Sequence, residues 1–282
     1  MAGLLSGLSS LGLGNLESAK VFEEPEKEKA QSNEPEVHKV EEKELVYDRG
    51  FECPVCDSKI TSKVMKSGKA KLEGTDMDLR PRYEGIDPLK YDVILCPKCG
   101  FTALTRYFKA MTPMQVRLIK ENISKNVQLH PFNGETYTYE EAMERYKLAL
   151  ACAVVRQAKA SEKAYICLKS AWVLRGWKES LDEKAADYQA NKKELESAEV
   201  EYLKNALEGF TGAIANESFP MCGMDETTMD YLLAVLAMKF GQYDVSSKLI
   251  ANILVSPSAN ARMKDKAREL KDMIVAEIRK AK

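Results

Sequence analysis

The chain has almost no charge of one sign in excess: 42 basic residues stand against 43 acidic ones in 282, which excludes a simple polybasic coat for nucleic acid. It has no apolar run near the roughly 18 residues that a bilayer crossing requires, so no transmembrane segment is expected. Fifteen glycines and ten prolines are too few for a collagenous or wholly disordered chain. Histidine is scarce, with only His38 and His130. No Ser–His–Asp set, P-loop, GxGxxG or HExxH is present, and the sequence points away from an enzyme. What remains is a soluble globular protein, 45% hydrophobic and long enough for about two domains.

Charge is unevenly distributed. Residues 1–50 hold eleven acids and six bases, whereas 51–126 hold nine acids and fourteen bases. The start, through Leu16, is rich in Leu and Gly but has no base before Lys20, unlike a secretory signal. It is expected to be a disordered tail or a short docking peptide, joined by a Glu/Lys/Pro-rich linker that cannot bury enough surface to order itself. A cytoplasmic location follows from that reading. The expected organisation is an acidic tail and linker over 1–46, a metal-binding part over 47–111 and a helical part over 112–282.

Four cysteines carry the strongest signal. Cys53-Pro-Val-Cys56 and Cys96-Pro-Lys-Cys99-Gly100 are two CxxC pairs. Two residues between thiolates let one tight turn aim both sulfurs at one ion, and two such turns close a tetrahedral zinc site with no open position. Gly100 stands where the chain needs a positive φ, and Asp57, at the equivalent place, tolerates it. One structural zinc on Cys53, Cys56, Cys96 and Cys99 is the expectation. Cys152, Cys167 and Cys222 fit small buried apolar residues in helical surroundings.

Between the pairs, 59–65 and 69–72 predict a hairpin turning at Ser67-Gly68, and Asp76, Asp78 and Arg80 alternate with Met77 and Leu79 as on a strand. Cys53-Pro-Val-Cys56, Asp76-x-Asp78, Arg80-Pro-Arg-Tyr83, Asp87-Pro88-x-x-Tyr91-Asp-Val and Cys96-Pro-Lys-Cys99-Gly100-Phe101 together resemble the bacterial family called domain of unknown function 2225. The resemblance runs from about residue 50 to past 210. It implies a bacterial cytosolic protein with a zinc-binding N-terminal part and a helical remainder; it implies no activity.

Two further clusters have a bland and a functional reading each. Asp76, Asp78, Arg80 and Arg82 are an ion-pair row, or else hold a carboxylate or phosphate of a small ligand. Lys59, Lys63, Lys66, Lys69 and Lys71 are a solvated strand edge, or else track a nucleic-acid backbone. The hairpin lacks the interleaved aromatics of a stacking platform.

The remainder is helical. Thr112-Pro-Met-Gln115 and Thr138-Tyr-Glu-Glu141 have capping-box spacing. Ala142, Met143, Tyr146, Ala149, Leu150 and Ala153 form an apolar stripe, and Ser161 is read as the cap of the next helix, whose inner face holds Ala164, Leu168, Ala171 and Trp172. A long helix is expected over 181–215, and helices over 229–239, 245–255 and 259–281. Gly241-Gln-Tyr243 between paired helices resembles a tetratricopeptide repeat, although Ser246 replaces its usual small Ala. The expected fold is α+β: a small β-rich four-cysteine zinc ribbon, then an all-α tetratricopeptide-like domain. The leading functional expectation is a non-enzymatic zinc protein binding a protein or peptide. A nucleic-acid-associated factor comes second and a small-ligand sensor or enzyme third.

Overall fold

Three antiparallel hairpins precede seven α-helices in the described residues, 41–130 and 132–280 of the computed structural model. The Leu-rich start, His38 and the linker up to residue 40 lie outside the described residues. The first hairpin pairs β1 (Val46–Glu52) with β2 (Lys59–Met65), placing Phe51 opposite Ile60. The second pairs β3 (Leu72–Thr75) with β4 (Pro81–Tyr83), and the third β5 (Val93–Leu95) with β6 (Thr102–Leu104).

This pairing corrects two expectations. Strand 59–65 does not turn back on 69–72; its partner is the upstream strand β1. Residues 76–80 are a tight turn, not a strand: the Asp76 N–H donates to the Arg80 carbonyl at 2.8 Å, and the Leu79 N–H to the Asp76 carbonyl at 3.0 Å. Leu79 takes φ +70°, costly for a branched-at-γ residue, and packs against two core clusters in return.

Helix α1 (Pro113–Ile119) starts from Thr112 and α2 (Tyr139–Val155) from Thr138, both with the full capping box. Helix α3 spans Ala160–Glu179 and α4 Tyr188–Ile214, a later start than 181. The N-cap of α3 is Lys159, and Ser161 lies one residue inside that helix. Helices α5 (Glu226–Lys239), α6 (Tyr243–Val255) and α7 (Ala261–Lys280) complete the chain. Gly241 closes α5, and Ser246 donates from its buried hydroxyl to the Ala234 carbonyl at 2.7 Å, tying α6 to α5.

The largest core joins the helices to the third hairpin: Leu89, Val93 and Leu104 pack with Tyr146, Leu168, Trp172, Leu203 and Phe210. A second core surrounds the cysteines, with Val55, Ile94, Phe101, Ile119 and Cys152. A third holds α5, α6 and α7 together through Tyr231, Ile250, Ile253 and Leu270. Burial of these faces, not helix propensity, supplies most of the drive for helix formation. No helix among the described residues is long and apolar enough to cross a membrane.

Candidate metal centre and its neighbouring ion network

Each CxxC pair sits at the tip of a hairpin, in a turn with the same bonds. The Cys53 N–H donates to the Ser58 carbonyl at 3.0 Å, and the Asp57 N–H to the Cys53 carbonyl at 2.9 Å. In the other turn the Cys96 N–H donates to the Phe101 carbonyl at 2.9 Å, and the Gly100 N–H to the Cys96 carbonyl at 2.9 Å. Asp57 has φ +56° and Gly100 φ +73°. The residues differ because their surroundings do: a Cβ on Gly100 would lie 2.5 Å from Val127 Cγ1. Only glycine fits there.

The two turns face each other. Cys53 Sγ lies 3.6 Å from Cys99 Sγ, and Cys56 Sγ 3.6 Å from Cys96 Sγ. All four sulfurs lie within 4.8 Å of one another, with Cys53, Cys96 and Cys99 buried and Cys56 half-buried. A tetrahedral ion with metal–sulfur bonds near 2.3 Å has sulfur–sulfur edges of about 3.8 Å. The four thiols therefore fit a four-coordinate metal ion, and the spacing is far beyond the ~2.05 Å of a disulfide. All seven cysteines are unbridged.

The thiol chemistry favours a cation at the centre. The hydrogen bond from Cys99 pulls Cys53 down to about 5, while burial pushes Cys96 up to about 11. Cys99 is also pushed up, first by its bond to Cys53 and then by burial. The Cys53 proton is thus lost most readily, while burial and the bond to Cys53 hold those of Cys96 and Cys99 respectively. A divalent ion removes that conflict by neutralising the thiolates together.

A separate ion network joins the Asp76–Arg80 turn to the helices. Asp78 is buried and receives three bonds: Arg175 Nη1 at 2.9 Å, Arg175 Nη2 at 2.6 Å and the Trp172 indole N–H at 3.0 Å. Asp76 accepts from Arg175 at 3.0 Å and from Arg82 at 3.3 Å. Arg175 also donates through Nε to buried Glu199 on α4 at 2.8 Å, and Lys178 reaches the same carboxylate at 3.3 Å. Burial opposes charge on Arg175, but the Asp78 and Glu199 partners outweigh it and hold the guanidinium charged. Arg80, 5% exposed, lies 3.0 Å from Glu179, 3.6 Å from Asp76 and 3.7 Å from Asp87. Its Nε is buried without a hydrogen-bond partner. Asp87 is pushed up by burial, against the pull of its bond from the Leu89 N–H and of the Arg80 charge.

The four residues Asp76, Asp78, Arg80 and Arg82 are thus brought together, around a partner that sequence reasoning missed. Arg175 continues the apolar face of Ala164, Leu168, Ala171 and Trp172, and a cation on that face was the available signal. Glu199, on the buried face of α4, was the second.

The lysines are not brought together into one free surface. Lys63 pairs with Asp48 at 3.0 Å, Lys66 donates to the Glu44 carbonyl at 2.8 Å, and Lys71 lies 3.9 Å from Glu84. Lys59 and Lys69 are exposed. His130 is exposed and is not among the clustered thiol ligands.

A family model described as "Uncharacterized protein conserved in bacteria (DUF2225)" matches residues 46–274. The chain belongs to this family. No curated protein matches the chain, and no solved structure does.

Proposed function

We propose that the protein is a non-enzymatic zinc protein of the bacterial cytoplasm whose helical part holds a peptide segment of a partner protein. The observation that carries the reading is that all four thiols converge within 4.8 Å with none left over as an open position. A closed four-thiolate set suits zinc among common cations, because soft ligands in tetrahedral array favour it. The unbridged cysteines fit a reducing compartment. In this reading the zinc part extends to about residue 111 and the helical part follows it, with α5 and α6 as one tetratricopeptide-like pair.

Support for a peptide site comes from a cleft of about 290 Å³ across α2, α3 and α4, lined by Met143, Leu174, Trp177, Leu181, Ala198 and Tyr202. It is large enough for one or two apolar side chains of a peptide. We read the Asp76–Arg82 cluster as a clasp rather than a ligand site, since its carboxylates already have guanidinium and indole partners. The lysines of β2 and the loop after it are read as a solvated edge for the same reason: three of the five have local partners.

A photo-crosslinking residue at Leu181, introduced in cells, tests the reading. A single protein is expected to crosslink, to bind the purified chain, and to lose about tenfold in affinity against Leu181→Asp. Crosslinking no stronger than from the same probe at Lys69, or rebinding indifferent to Leu181→Asp, overturns it.

A further inference from the structure

A cavity of about 610 Å³ shares no lining residue with the thiol cluster or the peptide cleft. It lies between the α2–α3 turn, the start of α3 and the 217–223 loop. Arg106, Lys109, Arg156 and Lys159 line it together with only two carboxylates, Glu162 and Glu217. The lining thus carries a formal excess of two positive charges.

Each wall is held in place. Helix α2 ends in a left-handed turn: Gln157 has φ +55°, and the Ala158 N–H donates to the Ala153 carbonyl at 2.8 Å. This sets Arg156 inward at 7% exposure, paired with Glu162, while its Nε is buried without a partner. Helix α3 then starts from Lys159, whose side chain offers no acceptor for the first N–H groups. Glu217 offers one instead, accepting from the Ser161 N–H at 3.0 Å and the Ser161 hydroxyl at 2.5 Å. Arg106 closes the far side by donating to the Cys222 carbonyl. Gly223, at φ +81°, lies beside that guanidinium; a Cβ there would come within 2.7 Å of Arg106 Nη2. The Cys222 thiol in turn donates to the Ser161 carbonyl at 3.2 Å, fastening the loop to the helix start.

The pocket is preformed, and what it leaves unmet is anionic. Lys109 and Lys159 are exposed; the Lys109 charge acts on Glu162 at a distance, and neither lysine closes an ion pair within 4.0 Å among the described residues. The Arg156 side chain lines the same space, and the positive end of a 20-residue helix opens onto it. Glu217 already shows the preference of that helix end for an oxyanion. A phosphoryl group, at about −1.5 to −2 charge with three acceptor oxygens, matches the charge excess better than a single carboxylate does. We propose that this cavity binds the phosphoryl group of a small metabolite. The cavity volume falls in the range of small-molecule sites.

Calorimetric titration of the full, metal-loaded chain with pyrophosphate at constant ionic strength tests the proposal. Saturable binding is expected, weakened about tenfold or more by Lys109→Ser with Lys159→Ser, two exposed side chains with no ion pair to lose. Glu217→Gln, which removes a competing charge, is expected to tighten binding severalfold. No saturable heat up to about 1 mM overturns the proposal. Unchanged affinity in the Lys109/Lys159 variant does the same, as does an equal loss in a distant Lys59→Ser, Lys69→Ser variant. Succinate binding as tightly as pyrophosphate overturns the phosphoryl assignment in favour of a carboxylate.

Discussion

The thiol centre and the Asp78–Arg175 clasp each fasten pieces of chain that lie far apart in sequence, and they do so on different energetic terms. The thiols join positions 46 apart, Cys53 and Cys99, in a cluster whose members repel one another as they ionise. The clasp joins positions 97 apart, and its charges already neutralise one another. The first has the spacing to take up a cation; the second meets most of its charge from within the chain. An arrangement that needs an external ion gains stability from binding it, whereas a buried ion network mostly recovers the cost of desolvating its own charges.

The largest expected effect separates the two directly. Cys99→Ser, or chelation of the metal, is expected to remove the bound ion and unfold the first and third hairpins. Structural zinc in small domains is worth about 10–16 kcal/mol, comparable to a whole domain's stability of about 5–15 kcal/mol. Metal content by mass spectrometry, alongside far-ultraviolet dichroism, reads both changes. Retention of a full complement of metal by the variant breaks the comparison.

Next comes the clasp. Arg175→Gln leaves Asp78 and Glu199 buried with one charge partner fewer, and is expected to cost about 3–5 kcal/mol in urea unfolding. Asp78→Leu combined with Arg175→Met is expected to regain only the part of that loss due to Asp78, since Glu199 and Asp76 still lose the same guanidinium. The thiol centre has no equivalent rescue. If the double variant is as unstable as Arg175→Gln alone, the clasp is not the self-neutralising unit described here.

A finer contrast lies within the metal centre. Gly100→Ala is expected to cost about 2–3 kcal/mol, from strain at φ +73° and the 2.5 Å approach to Val127. Asp57→Gly, at the matching place in the other turn, is expected to change stability by no more than about 0.5 kcal/mol. Adding Val127→Ala to Gly100→Ala relieves the clash and not the strain, so partial recovery is the expected urea-unfolding result. Smallest of all is Lys63→Ser, which gives up an ion pair with a largely exposed carboxylate and is expected to cost less than about 0.5 kcal/mol.

How much was legible follows the reach of each interaction. The four cysteines were, because spacing within a turn dictates where two sulfurs point. The caps at Thr112 and Thr138 were, because donor and acceptor lie three residues apart. At Ser161 the same logic failed: the acceptor at that helix start comes from Glu217, 56 residues onward, so a local cap was unnecessary. Strand 59–65 was recognised but its partner was not, because alternation marks a strand without saying which neighbour it joins. The alternation of 76–80 was a tight turn, with Leu79 outside the extended region and its half-buried side chain packed against the core. Arg175 was invisible from the acidic turn it serves.

The reach of the clasp also bears on how the protein is made. A ribosome releases the chain from its N-terminus at about 5–20 residues per second. Asp78 is therefore outside for several seconds before Arg175 exists, and the two halves of the thiol set are likewise delivered one hairpin at a time. During that interval the nascent hairpins hold thiols and a carboxylate whose eventual partners have not been translated. The N-terminal half is synthesised first yet waits for α3, a schedule written into the chain by the position of one arginine.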